Sequence, residues 1–409
     1  MTRLTKILAI ALSAVVFGLV AFTGGFIVSQ VIFLTDNVRT HQAQNAELTG
    51  SLSEMFNIMQ QRALDPPSET TATVGALNGL LQSNNDRYAR FLDAEEMQRY
   101  DEGMQGHFGG IGVTLGEQDG TTFILEVMEG TPAEAAGLKA GDYFYGVDDE
   151  FRDDWISADL STRVRGEVGT DVFLTMVRPF PEGEMPSSFE HHLGDPFEVT
   201  ITRDIIESPV TLVEMFDDNV GYVRLFTFNL RATEQLSEDI EGLIADGATS
   251  LILDLRDNPG GDLNQAIAVT SLFIESGPVV QIEEAGIPEA TILNVTGRTL
   301  SEQLPLVVIV NGQSASASEI VSGAIQDHER GIVVGTNTFG KASVQTQIPF
   351  RDGAAFMTTA HYLTAKGRVI DDAGTPPDIE VDVSMADRAE FETDTQLQRA
   401  IEEAAKKAQ

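Results

Sequence analysis

The sequence predicts a mixed α/β fold, and three observations carry that expectation. Between residues 205 and 385, short runs of Val, Ile and Leu alternate with helix-like runs, the pattern of strands and helices layered around a common core. Residues 38–105 instead repeat apolar side chains at helical spacing, as in Leu48, Leu52, Met55, Ile58 and Met59. A chain of 409 residues that is 42% hydrophobic can bury a sizeable core, divided among two or three domains.

In chain order, Arg3 and Lys6 precede an uncharged stretch, Ile7–Leu34, that ends before Asp36. The stretch is long enough to span a bilayer. Basic residues ahead of it predict the N-terminus inside and the remaining chain on the extracytoplasmic side. Residues 1–36 are therefore expected to form a membrane anchor. The small residues of Ala21–Gly25 leave a cleaved signal segment, and a secreted form, as the alternative.

Residues 37–105 are the expected helical region. Pro66-Pro67 interrupts it, and Ser68 or Thr70 is placed to cap a second helix through Leu81. Asn85–Leu92 reads as ordinary helical packing without chemistry. Further on, Val220–Leu225, Ser250–Leu255, Leu306–Val310 and Ile332–Gly335 read as strands. Thr233–Ala245, Asn264–Ile274 and Ser316–Gln326 read as helices, and the tail of residues 386–409 carries an amphipathic helix over Asp394–Lys407.

Charge and composition exclude several functions. With 63 Asp and Glu against 26 Lys and Arg, the net charge is −37, which argues against a nucleic-acid partner. Cysteine is absent, so disulfides, thiolate zinc sites and a cysteine nucleophile are excluded. None of the six histidines sits in a His-Glu-x-x-His pattern. Glu190-His191-His192, and the acidic run Asp148-Asp149-Glu150 with Asp153-Asp154, fit solvated turns better than metal sites, and Trp155 beside the latter reads as a packing residue. Neither a metal nor an organic cofactor is expected.

Chemistry concentrates in two stretches, Asn311-Gly312-Gln313-Ser314-Ala315-Ser316-Ala317-Ser318-Glu319-Ile320 and Thr338-Phe339-Gly340-Lys341-Ala342-Ser343-Val344-Gln345-Thr346. Together they resemble the catalytic segments of the C-terminal processing peptidases, or tail-specific proteases, which use a Ser–Lys dyad. The resemblance implies Ser316 as nucleophile, Lys341 as base and Gln345 as the residue supporting the lysine. A serine hydroxyl needs a base to take its proton. Lysine can serve only when neutral, against an ordinary pKa of about 10.4, so a dry pocket is expected around Lys341. The run Asp254-Leu255-Arg256-Asp257-Asn258-Pro259-Gly260-Gly261 resembles another signature of the same family. It offers backbone donors for an oxyanion: Gly261, with Gly260 as alternative, alongside the N–H of Ala317.

Residues 106–204 resemble a PDZ domain through Gly130–Asp142 and through Gly109-Gly110-Ile111-Gly112-Val113, which resembles a carboxylate-binding loop. A helix over Ser157–Arg165 would form the second wall of the groove, and Arg165 is the family's candidate for coupling this domain to the protease. Pro179–Pro196 reads as a long loop before a strand at Phe197–Thr202. Tyr362–Ile370 and Pro376-Pro377-Asp378 resemble the family's closing segment. The departures are small: Ala365 and Ala342 stand where the family often has proline and glycine.

The fold this resemblance implies is a β-rich spiral, crotonase-like protease core over residues 205–385, with an inserted PDZ domain and N-terminal helices. The implied function is a membrane-anchored serine endopeptidase that takes unfolded C-terminal tails of proteins, with a homo-oligomer or a regulatory partner possible. Two rivals are an inert core serving a peptide-binding scaffold, and an esterase using the same dyad.

Overall fold

The computed structural model describes residues 46–118, 121–152, 155–179, 193–297, 299–300, 304–384, 387–389, 391 and 393–408. The expected membrane segment, Asp153-Asp154 and Glu190-His191-His192 lie outside them. Among the described residues no helix is long and apolar enough to cross a membrane. No group of three or more His, Asp or Glu among them could hold a metal ion.

The chain divides into two units, up to Asn85 and from Asp86 onward. The first contains the helices Ala46–Arg62 and Glu69–Gln82. Ser68 caps the second by accepting the Thr71 N–H at 3.0 Å, which satisfies one of the donors orphaned at a helix start.

In the second unit, a six-stranded sheet runs in the order Thr211–Phe216, Val220–Leu225, Ser250–Asp254, Leu306–Val310, Ile332–Gly335, Ile379–Glu380. The first pair is antiparallel and the others are parallel. Ser250–Asp254 and Leu306–Val310 are buried at every position, as central parallel strands covered on both faces are. Leu251, Leu253, Val308 and Val310 pack with Leu236, Ile240, Ala266 and Ile320 from the helices Ala232–Ala245, Leu263–Ser271 and Ala317–Asp327. Ile252, Val307 and Ile309 face the other way, onto Leu397, Ala400 and Ala404 of the tail helix Thr395–Ala408. Strand alternation thus sends successive side chains into two separate cores.

A second sheet runs Arg90–Leu92, Gly353–Thr364, Pro278–Glu284, Thr291–Asn294, with Ser343–Phe350 antiparallel to Gly353–Thr364. Here the expectation for Asn85–Leu92 is corrected. Arg90–Leu92 is a strand, not helix, with Arg90 opposite Phe356 and Leu92 opposite Ala354. It forms because Phe91 and Leu92 are buried on a sheet edge supplied from far along the chain.

Residues 111–202 build their own core from Ile111, Ile124, Val147, Trp155, Leu160, Leu174 and Met176. The sheet order is Val113–Gln118, Thr121–Val127, Tyr143–Val147, Asp171–Pro179, Leu193–Thr202, and the helix Ser157–Val164 packs on it. The last strand begins at Leu193 rather than Phe197, because the hairpin ladder continues to Pro179 opposite Leu193. His107–Gly110 pairs with Asp204–Glu207 in a separate two-stranded sheet. Gly109 and Gly110 therefore lie on a strand, and only Ile111 and Gly112 form the loop between strands.

Candidate active site

The parallel strand Leu306–Val310 delivers a turn at its C-terminal end, and the Ala317–Asp327 helix begins immediately after Ser316. Ser316 has φ 54 and ψ −112, a backbone conformation that costs a non-glycine residue about 1–3 kcal/mol and needs surrounding structure to hold it. Asn258 ties this turn to the neighbouring strand end. Its carbonyl accepts the Ala315 N–H at 3.1 Å and the Ser318 hydroxyl at 2.9 Å.

The loop from Asn258 to Gly261 then passes so close to Ser316 that a side chain at Gly260 would not fit. A Cβ there would meet Ser316 Cβ at 2.8 Å and Ala317 N at 2.9 Å, and φ is +100. The Gly260 N–H is spent on Asn258 Oδ1 at 2.9 Å. Phe228 takes the flanking groups, donating to the Gly260 carbonyl and accepting from Asp262 N–H. Among the described residues, the N–H groups of Gly261 and Ala317 have no acceptor. Of the two glycines predicted as alternatives, Gly261 is the one with an uncommitted donor.

Lys341 sits just ahead of the strand Ser343–Phe350. Burial lowers its pKa and the positive charge of Arg90 lowers it further, while Glu319 and Asp86 push the other way. Its ammonium position lies over the Tyr88 ring, 4.9 Å from the centroid. Among the described residues no hydrogen bond joins Lys341 Nζ to Ser316 Oγ. Gln345, predicted to orient the lysine, instead donates its side-chain amide to the Tyr88 carbonyl at 2.6 Å. The physical reason is the strap Asp86–Leu92. Asp86 accepts from Thr358 N–H at 2.8 Å, from its hydroxyl at 3.0 Å and from Tyr88 N–H at 3.1 Å, which fixes Tyr88 between Lys341 and Gln345. Sequence reasoning gave this segment no chemistry.

Two more residues at the site were missed. Glu319 is completely buried, and its carboxylate is filled by four donors. Oε1 accepts the Thr338 hydroxyl at 2.6 Å and the Gly340 N–H at 2.7 Å. Oε2 accepts the N–H groups of both Ser316 and Lys341, each at 2.9 Å. Tyr362 lies across the same pair, with its hydroxyl 3.0 Å from the Ser316 carbonyl and 2.5 Å from the Lys341 carbonyl. Burial, then the Glu319 charge, raises the Tyr362 pKa well above that of an ordinary phenol, so the hydroxyl keeps its proton. Glu319 was visible only as one letter of the serine-rich run, after Ser318, with nothing to signal its burial.

Elsewhere, Gly110, Ile111, Gly112, Val113 and Leu115 line a groove of about 270 Å³ with Phe108, Ser157, Ser161, Val164 and Arg165. Val113–Gln118 is an edge strand. The N–H groups of Ile111 and Gly112 find no acceptor among the described residues, and Gly112 holds φ +85 with no room for a Cβ against Thr131. Gly109 does not line the groove; it packs on Gly166. Arg165 stacks its guanidinium 3.8 Å from the Phe108 ring centroid, where burial lowers its pKa.

A half-buried serine at a helix start, a lysine with depressed basicity and uncommitted backbone donors are the equipment of an acyl-transfer hydrolase. Comparison with known proteins names the class. Residues 219–381 match Peptidase family S41. A carboxy-terminal-processing protease of Bartonella bacilliformis is 31% identical over 371 residues, 89% of this chain and 82% of that protein. The carboxy-terminal processing protease CtpA of Bacillus subtilis is 32% identical over 311 residues, 76% of this chain and 64% of that one. Among solved structures, an S41 protease from Bacteroides fragilis shares the fold at TM-score 0.50 and 15% identity, over 85% of this chain and 95% of that one. The chain belongs to the carboxy-terminal processing proteases of peptidase family S41, and is a serine-type hydrolase of peptide bonds.

Proposed function

We propose that the protein is a membrane-anchored, extracytoplasmic endopeptidase that binds the free C-terminal tails of unfolded proteins and cleaves them with a Ser316–Lys341 dyad. The observation that carries the dyad is the convergence of Ser316, Lys341 and the uncommitted N–H groups of Gly261 and Ala317 around one helix start.

In this reading Ser316 Oγ attacks a peptide carbonyl while neutral Lys341 takes the hydroxyl proton. Gly261 and Ala317 N–H stabilise the oxyanion, and each such donor is typically worth about 10²–10³ in kcat. The lysine, now an ammonium, returns the proton to the departing amine. It then activates the water that frees the acyl-enzyme. Gln345 supports the lysine once its amide leaves the Tyr88 carbonyl.

Residues 106–204 act as the PDZ-like tail-binding domain. The uncommitted Ile111 and Gly112 N–H groups support capture of a terminal carboxylate, and the edge strand Val113–Gln118 supports addition of the tail as a strand. Residues 205–385 act as the peptidase core. Anchoring is supported by the uncharged stretch Ile7–Leu34 behind Arg3 and Lys6. The test uses an unfolded reporter that ends in a free apolar C-terminus, beside the same reporter amidated. Faster cleavage of the free form is expected. Equal rates for the two would rule out carboxylate recognition, and carboxylate-dependent binding without cleavage would favour an inert scaffold.

A further inference from the structure

We propose that Glu319 and Tyr362 form a clamp that positions nucleophile and base relative to each other by gripping their two backbones. The proposal rests on the Ser316–Lys341 reading and adds two residues to it that touch neither substrate nor reacting atoms. One carboxylate oxygen, Glu319 Oε2, accepts the N–H of Ser316 and the N–H of Lys341 at the same distance, 2.9 Å. One phenol, Tyr362, reaches the carbonyls of the same two residues, at 3.0 and 2.5 Å. Each residue of the dyad is therefore held at both its backbone donor and its backbone acceptor by groups shared with the other.

The surroundings leave the clamp little freedom. Glu319 lies in the first turn of the Ala317–Asp327 helix and has no exposure to solvent. Its second oxygen is filled by the Thr338 hydroxyl and Gly340 N–H, and Thr338 Oγ1 in turn accepts the Thr375 N–H at 2.6 Å. Tyr362 sits on the strand Gly353–Thr364 and is buried. Ser316 holds φ 54 without being a glycine, a conformation that persists only where neighbours over-determine it. The clamp supplies that constraint. Charged donors and acceptors inside a dry site make strong, directional bonds, and dyad chemistry depends on reacting atoms held to a fraction of an ångström.

The test measures kcat and KM on an unfolded reporter for the full chain, with the variants Tyr362→Phe, Glu319→Gln, Ser316→Ala and Lys341→Ala. Thermal unfolding of each is followed in parallel. Tyr362→Phe removes one oxygen and keeps the packed ring. It is expected to lower kcat about 10–100-fold with KM and unfolding temperature unchanged, because a displacement near 1 Å costs about 10² in rate. Glu319→Gln replaces one acceptor oxygen with an NH2 donor that faces other donors, and should lose more. Should that variant fail to fold, Tyr362→Phe decides alone. A Tyr362→Phe enzyme with wild-type kcat, beside inactive Ser316→Ala and Lys341→Ala, would overturn the clamp and leave the dyad standing. A rate loss that only follows loss of folded protein would overturn it too. Activity retained by Ser316→Ala or Lys341→Ala would overturn the dyad and the clamp together.

Discussion

Replacing Gly260 with alanine tests the close approach on which the site geometry depends. Two costs add. An L-residue at φ +100 pays about 1–2 kcal/mol for the positive φ. The new Cβ would also lie 2.8 Å from Ser316 Cβ, 2.8 Å from the Ala315 carbonyl and 2.9 Å from Ala317 N. Two of these are backbone atoms that cannot swing aside, so overpacking adds about 1–3 kcal/mol. Gly169 is the matched control, with φ +85 and no atom within 4 Å of its Cβ position. Gly169→Ala should therefore lose about 1–2 kcal/mol, and Gly260→Ala about 2–5 kcal/mol, in urea unfolding followed by circular dichroism. Activity separates the two more sharply. Displacing the Ala317 N–H should cost Gly260→Ala about 10²–10³ in kcat, while Gly169→Ala keeps wild-type turnover. Equal stability losses, together with full activity in Gly260→Ala, would refute the argument.

Other expectations follow from single groups. In the proposed mechanism neutral Lys341 is the base, so the rate should rise as pH climbs through its pKa, which burial and Arg90 hold below the ordinary lysine value. Arg90→Gln should move the acid limb of kcat/KM to higher pH and Asp86→Asn to lower pH; an unmoved limb in both would contradict this electrostatic account. The same shift acts on stability. A lysine whose folded pKa is depressed destabilises the fold below that pKa, and the penalty disappears as pH rises to the unfolded value near about 10.4. Arg256, 4% exposed, is bound to both Asp254 and Asp394, so Arg256→Ala strands two buried carboxylates and should cost about 3–5 kcal/mol, read as a lowered urea midpoint. Arg165→Ala loses the Phe108 stack, worth about 1 kcal/mol, or about fivefold in KM for a free-tail reporter. An unchanged KM would rule out a role for Arg165 in tail binding.

The sequence made the core strands legible because burial left them few polar positions, Arg224 among them. Val220–Leu225, Leu306–Val310 and Ile332–Gly335 are found at the bounds their apolar runs predict, and helix bounds moved by a few residues at most. Arg90–Leu92 was not legible, since three residues carry no period and their ladder partner lies on a strand from Gly353 onward. The same blindness hid the bond between Gln345 and Tyr88. Side-chain partners are set by tertiary approach, and a motif supplies a residue without its neighbour. Glu319 stood in plain view beside Ser316, yet a carboxylate near a serine reads as a helix cap. It does accept the N-cap N–H of Ser316, and only the three further donors, from Thr338, Gly340 and Lys341, make it more than a cap.

The central claim is that Ser316 is a nucleophile activated by Lys341. Its most direct test is labelling of the full chain by a fluorophosphonate, with the modified residue located by peptide mapping, in the wild type and in Lys341→Ala. The account predicts a single adduct on Ser316 in the wild type, and none above the reaction of an ordinary serine in Lys341→Ala. An adduct on another serine, or equal labelling of Ser316 in both proteins, would contradict it.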